Sequence, residues 1–192
     1  MNQAISIFWH RRDLRLEDNA GAYEALKGNY PVLPLFIFDK HILDKLEDKD
    51  DARVTFIHQE IERLHQELKE LGSTIIVKYG YPEEVWTSLL EEYDIKAVYT
   101  NRDYEPYALE RDHKINDQLS GKGIEFHTYK DHVIFEQLEV TKKDGKPYTV
   151  FTPYSKVWKA KLDTQISSYQ DQNISYFFKP YPNEEYFSNY LQ

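Results

Sequence analysis

The chain has 192 residues, of which 41% are apolar and 15% aromatic, with a formal charge of −9 and no cysteine. That is enough apolar material for one ordinary domain, and it excludes global disorder, disulfide scaffolds, thiolate metal centres and cysteine nucleophiles. No stretch approaches the roughly 20 apolar residues that a bilayer requires. The opening MNQAISIFWHRRD lacks the pattern of a secretory signal, so a cytoplasmic protein with no membrane association is expected. The acidic balance argues against a surface coated in phosphate-binding charge.

The first element is an apolar run, Ala4–Trp9 (AISIFW), followed by a short helical segment, Asn19–Leu26. Val32–Phe38 (VLPLFIF) is the second run. The segment Ala52–Leu71 follows, and its apolar residues Val54, Ile57, Ile61, Leu64, Leu68 and Leu71 fall on one helical stripe. Asp50 or Asp51 reads as its N-cap and Gly72 as its stop. Thr74–Tyr79 (TIIVKY) is the third run. Pro82–Tyr93 opens with Pro-Glu-Glu, suited to a first helical turn. Ala97–Thr100 is the fourth run, Pro106–Leu119 a further helix, and Ile124–Tyr129 (IEFHTY) the fifth run. Near-continuous apolar runs suit strands covered on both faces. With right-handed crossovers this order predicts an α/β fold: a doubly wound, Rossmann-like, five-stranded parallel sheet with helices on both faces. After Tyr129 the pattern weakens. Val140–Phe151 reads as two short extended pieces around a Lys-Asp-Gly-Lys turn, Ser155–Leu162 as one or two helical turns, and Thr164–Gln192 as an irregular extension.

Ligands of such sheets bind beyond the C-terminal strand ends, near the switch in strand order. After the first strand stands His10-Arg11-Arg12-Asp13-Leu14-Arg15, and neither G-x-G-x-x-G nor G-x-x-x-x-G-K-[ST] occurs anywhere. The usual dinucleotide and P-loop readings therefore fail. An arginine loop suits an anionic ligand; equally, its arginines pair with Asp13, Glu17 and Asp18. Asp39 follows the second strand and Asn101-Arg102-Asp103-Tyr104-Glu105 the fourth. These acids suit ring N–H groups of a ligand, or one of them caps the next helix. The seven histidines have no metal-ligand spacing, and Trp9, Trp86 and Trp158 read as core or interface residues. Between Thr141 and Lys161 six lysines face Asp144 alone, which reads either as a phosphate contact or as a solvated surface.

Trp9–Asn19 (WHRRDLRLEDN) resembles the opening motif of DNA photolyases and cryptochromes. Leu35–Asp39 (LFIFD), Tyr104–Asp112 (YEPYALERD) and Tyr148–Pro153 (YTVFTP) with Trp158 resemble three further segments of that family, in the same order. The resemblance implies an N-terminal α/β domain over residues 1–163 and the start of an interdomain linker over 164–192. It places the FAD-binding helical domain outside this sequence. The family's activity is the light-driven splitting of pyrimidine dimers in DNA, or blue-light signalling in cryptochromes. By this resemblance the chain is the antenna and scaffold domain of a deoxyribodipyrimidine photolyase. It is expected to be inactive alone, with damaged DNA and the helical FAD domain as its partners. The resemblance also places an antenna pigment against His10, Arg11, Phe38, Asp39, Arg53, Asn101, Asp103 and Glu105, the cleft that chain order indicates. Folate-binding members carry Asn-Glu where this chain has Tyr107-Ala108, so a flavin or deazaflavin fits better, with Arg11 fixing its anionic group. A cryptochrome, and a stand-alone nucleotide-binding module of the stress-protein type, are the alternatives. The aromatic-rich tail is expected to pack back on the domain, and a homodimer is expected if an apolar face is left open.

Overall fold

The structure, a computed structural model, describes residues 3–48, 50–170 and 187–192. Its sheet consists of β1 (Ala4–His10), β2 (Val32–Asp39), β3 (Ile76–Gly80), β4 (Asp94–Asn101) and β5 (Glu125–Tyr129). All pairings are parallel, in the order β3-β2-β1-β4-β5. The chain steps outward from β1 to β3, then returns to the centre for β4. The switch point thus lies between β1 and β4.

The helices are α1 (Ala20–Leu26), α2 (Lys40–Leu43), α3 (Ala52–Glu70), α4 (Pro82–Glu92), α5 (Pro106–Ser120) and α6 (Phe151–Gln170). Alternate residues of each central strand feed two separate cores. Ile5, Ile7 and Trp9 of β1 pack with Trp86 and Leu89 of α4 and with Ile115 and Leu119 of α5. Phe8 and Phe36 pack with Ala22 and Leu26 of α1 and with Ile61, Leu64 and Leu68 of α3. Burial on both faces explains why the strands read as unbroken apolar runs.

Of the two candidate caps, Asp51 is the N-cap of α3, its Oδ1 accepting the Arg53 N–H at 2.8 Å. Gly72, at φ +81°, ends the helix as expected. The Ser73 N–H reaches the Leu68 carbonyl and the Gly72 N–H that of Lys69, satisfying two terminal acceptors at once.

Chain contacts divide the molecule into two compact units, Met1–Asp131 with Tyr181–Gln192, and His132–Pro180. In the second unit the Lys-Asp-Gly-Lys turn forms, closed by the Lys142 N–H to the Lys146 carbonyl at 2.9 Å with Gly145 at φ +79°. The flanking strands expected there do not, because one rung without apolar alternation does not sustain a hairpin. The one or two turns expected at Ser155–Leu162 extend to the twenty residues of α6. Pro153 sits in the first turn of α6, where no N–H partner is needed. Phe135 packs edge-on against Trp158 at 5.5 Å, beneath the Lys161 ammonium.

The last residues return to the sheet. Tyr190 is buried in the α1/α3 core and bridges Val32 in parallel, on the side of β2 that β3 leaves open before Leu35. The Leu191 N–H donates to the Val32 carbonyl at 2.8 Å, and Ser73 Oγ donates to the Leu191 carbonyl at 2.5 Å. Tyr176, Phe177, Phe178, Tyr181 and Tyr186 of the tail lie outside the described residues.

Candidate functional site

The loops after β1, β2 and β4 gather at the switch point around a cavity of about 670 Å³. Trp9, Phe36 and Phe38 project into it from the strands. Ile42, Leu43 and Leu46 close it from the segment after β2, and Val54 and Ile57 from the start of α3. Asp39, Arg53, Asp103, Glu105, Tyr107 and Arg111 supply its polar lining, with Arg11 and Arg12. A smaller cleft of about 230 Å³ lies at the opposite end of the sheet, between Leu90, Tyr93, Lys96 and Lys122.

Six of the eight residues expected at the site line the large cavity: Arg11, Phe38, Asp39, Arg53, Asp103 and Glu105. His10 and Asn101 do not. The strand period of two turns His10 away from Trp9 and Arg11, into the interior beside Phe8, with ring centroids 4.5 Å apart. It is fully buried, and its Nδ1 donates to the Asp13 carbonyl at 3.1 Å. Burial lowers its pKa, the nearby Asp13 only partly opposing this. Asn101 is spent on structure. Its Nδ2 donates to Asp13 Oδ2 at 2.6 Å and to Asn19 Oδ1 at 2.8 Å, while its Oδ1 accepts the Gly21 N–H at 2.8 Å. These bonds fix the arginine loop to α1 and β4.

Arg11 lines the cavity but is not available to fix a ligand's anionic group. Its Nε and one terminal nitrogen donate to Thr100 Oγ1 at 3.0 and 2.7 Å, and that nitrogen also donates to the Asn101 carbonyl at 2.6 Å. The other terminal nitrogen grips both oxygens of Asp112 at 2.5 and 2.6 Å. Every N–H of the fork therefore has a partner. Asp112 also accepts from Arg111 at 3.2 Å, and both guanidiniums lie about 5 Å from the Trp9 ring, at 5.1 and 5.0 Å.

Of the sequence neighbours, Asp13 accepts the Arg11 backbone N–H at 2.7 Å and its charge favours the Arg11 guanidinium, while the side-chain ion pairs of these arginines reach across the fold. Arg12 crosses the switch point to Asp103 at 3.2 Å and Glu105 at 2.7 Å. Arg15 reaches Asp131 at 2.9 Å and the Asp18 carbonyl. Glu105 occupies the N-cap position of α5 but makes no capping bond. Asp103 Oδ1 instead accepts the N–H groups of Tyr104 and Glu105, at 2.7 and 3.2 Å. Asp39 caps α2 by accepting the His41 N–H at 2.9 Å, and its Oδ2 accepts the Tyr107 hydroxyl at 2.5 Å with Arg111 at 3.7 Å. Burial and the bond to Asp39 hold the Tyr107 phenol well above its ordinary pKa. Arg53 stands exposed at the rim, on Asp51.

Sequence reasoning missed Arg12, Tyr107, Arg111 and the apolar wall at Ile42, Leu43 and Leu46. A signal for two of them existed: Tyr107, Ala108 and Arg111 share one face of α5 directly after the Asp103 loop. Chemically, the cavity offers an aromatic slot, carboxylates that accept ring N–H groups, and guanidiniums at the mouth for an anionic tail. Its size is that of a small-molecule site.

Among known proteins, a family model described as DNA photolyase matches residues 6–172. The deoxyribodipyrimidine photo-lyase of Synechococcus sp. strain ATCC 27144 is 33% identical over 81% of this chain and 32% of its own length. Cryptochrome-2 of Arabidopsis thaliana is 34% identical over 85% of this chain and 26% of its own. The crystal structure of an archaeal photolyase from Sulfolobus tokodaii, described as holding two FAD molecules, superposes with a TM-score of 0.67 at 34% identity. It covers 80% of this chain and 34% of that one. The chain belongs to the DNA photolyase family. It spans about a third of the photolyases it matches.

Proposed function

We propose that this chain is the antenna and scaffold domain of a light-driven DNA repair lyase, and that its switch-point cavity holds a flavin or deazaflavin. In the whole protein, a helical part carries FAD and meets the damaged DNA; residues from 164 onward begin the connection to it. The carrying observation is the cavity of about 670 Å³, walled by Phe36, Phe38 and Tyr107 and bordered by Asp103 and Glu105. The pigment supplies light absorption. The aromatic walls sandwich its rings, the carboxylates accept its N–H groups, and Arg12 and Arg53 take the anionic role once expected of Arg11. Tyr107-Ala108 in place of Asn-Glu makes folate the poorer fit. The two FAD molecules of the archaeal photolyase support a flavin here. The similarity to a cryptochrome supports a photoreceptor as the second reading.

The test is a fluorescence titration of FMN, a 5-deazaflavin and a methenyl folate into the chain and into Glu105→Gln. Saturable one-site binding of a flavin or deazaflavin is expected. Loss of the charge-assisted bond weakens it by roughly 1.5–3 kcal/mol. No saturable binding of either pigment, or equal affinity in the variant, contradicts the assignment.

A further inference from the structure

A row of rings leads out of the cavity past the segment after β2. Tyr107, in the cavity wall, stands 5.9 Å from His41 between ring centroids, and His41 packs on Tyr81 at 4.6 Å. The Lys40 ammonium lies over Tyr81 at 4.9 Å and over Tyr79 at 5.9 Å, which carries the row to the edge strand β3. Lys45 lines the cavity and lies over Tyr107 at 5.4 Å. The far end is open to solvent, with Tyr79 64% exposed.

The cations of this row differ from the guanidiniums of the cavity. Arg11 and Arg111 are held by Asp112, Arg12 by Asp103 and Glu105, and Arg53 by Asp51. Lys40 and Lys45 lie over tyrosine rings and make no ion pair among the described residues. The carboxylates beside the row are spent on its rings. Glu83 lies 3.7 Å from His41 Nε2, and Asp44 Oδ2 accepts the Tyr81 hydroxyl at 3.5 Å.

We infer that this row is an outer subsite for the adenylate half of a dinucleotide, so that the site takes FAD in preference to FMN. The inference rests on the flavin reading above and names the form of flavin that the site selects.

An adenylate needs a cation for its phosphate and a flat face for its base. Ammonium groups without a carboxylate partner keep their charge and donors for a phosphate. Tyrosine rings stack any base, and a lysine over the ring adds attraction for an anion beside it. The order along the row is that of the dinucleotide. The flavin ring fills the cavity, the first phosphate lies at the mouth with Arg12 and Arg53, the second meets Lys45 and Lys40, and adenine lies on Tyr79. Tyr79 is the better platform than Tyr81, whose ring carries His41 and whose hydroxyl is bound to Asp44. The adenylate stays outside the cavity, so the flavin's antenna role is unaffected.

The experiment is calorimetric titration of FAD, FMN and ADP into the wild-type chain, Tyr79→Ala and Lys40→Gln, with thermal melts to show that the variants fold. FAD is expected to bind wild type about tenfold more tightly than FMN, from one added base–tyrosine stack and one added phosphate contact. The ratio of the two affinities should fall several-fold in each variant. ADP alone should bind at least tenfold more weakly than FAD, because it lacks the flavin that anchors it. Equal or weaker binding of FAD than FMN by wild type overturns the inference while the flavin reading stands. So does an FAD preference unchanged in both variants, which would place the adenylate elsewhere. ADP binding as tight as that of FAD would mark a free-nucleotide site and also overturns it. Failure of FAD and FMN alike to bind wild type removes the flavin reading itself, and the inference with it.

Discussion

Two adjacent arginines, identical in kind, have opposite roles, and the difference is one of burial. The Arg11 side chain is 7% exposed and saturated by Asp112, Thr100 and the Asn101 carbonyl, whereas Arg12 is 57% exposed and meets two acids at the cavity mouth. Removing one member of a buried pair strands the other charge. Arg11→Met should therefore cost about 3–5 kcal/mol of stability. Arg12→Gln should change stability by no more than about 1 kcal/mol while weakening binding of FMN. Urea unfolding of both variants, beside the titration, checks the contrast. His10 gives a pH signature. Its folded-state pKa lies below the unfolded value of 6.5, so the unfolded chain takes up the extra proton first. Its contribution is complete above about pH 6.5 and is lost as pH falls below it. His10→Asn should flatten the fall in stability between neutral pH and mildly acidic pH, and parallel slopes for variant and wild type would refute this. None of these distinctions is legible in the sequence: HRRD shows two arginines and a histidine, and only the strand period and the partners 89–101 residues away decide which face water.

Among the elements, the order of the five strands and of α1, α3, α4 and α5 followed from apolar runs, helical period and end signals, because both sheet faces are buried and each of these helices buries one face. The misreadings have local causes. Pro153 is accommodated in the first turn of α6, so the helix begins at Phe151 rather than at the expected Ser155, and the Lys-rich turn before α6 lacks the alternation that a hairpin requires. The four-residue α2 is too short for any period to reveal, and it supplies cavity wall at Ile42 and Leu43. The close approach of α1 to β4 is equally invisible in sequence. A Cβ at Gly21 would meet Asn101 Oδ1 and Phe8 at 2.8 Å and the Thr100 backbone at 3.2 Å. Gly21→Ala should thus destabilise by roughly 1–3 kcal/mol despite alanine's better helix propensity. A thermal melt at or above the wild-type midpoint would contradict this tight packing.

At the scale of the molecule, the returning C-terminal residues complete the α1/α3 core. Tyr190 is 1% exposed, but its hydroxyl is buried without a hydrogen-bond partner among the described residues. Tyr190→Ala should cost about 3–5 kcal/mol, whereas Tyr190→Phe, which removes the stranded hydroxyl, should be neutral or stabilising by roughly 1 kcal/mol. Denaturant midpoints in the reverse order would show that the tail does not seal the core in solution. The central claim concerns the other end of the sheet: the switch-point cavity takes the pigment. Amide chemical-shift mapping of the isotopically labelled chain during an FMN titration tests it most directly. The account predicts saturable shifts gathered at Phe38, Asp39, Asp103, Glu105 and Tyr107, with the opposite cleft at Tyr93, Lys96 and Lys122 unmoved. Shifts centred on that opposite cleft, or none that saturate, would contradict it.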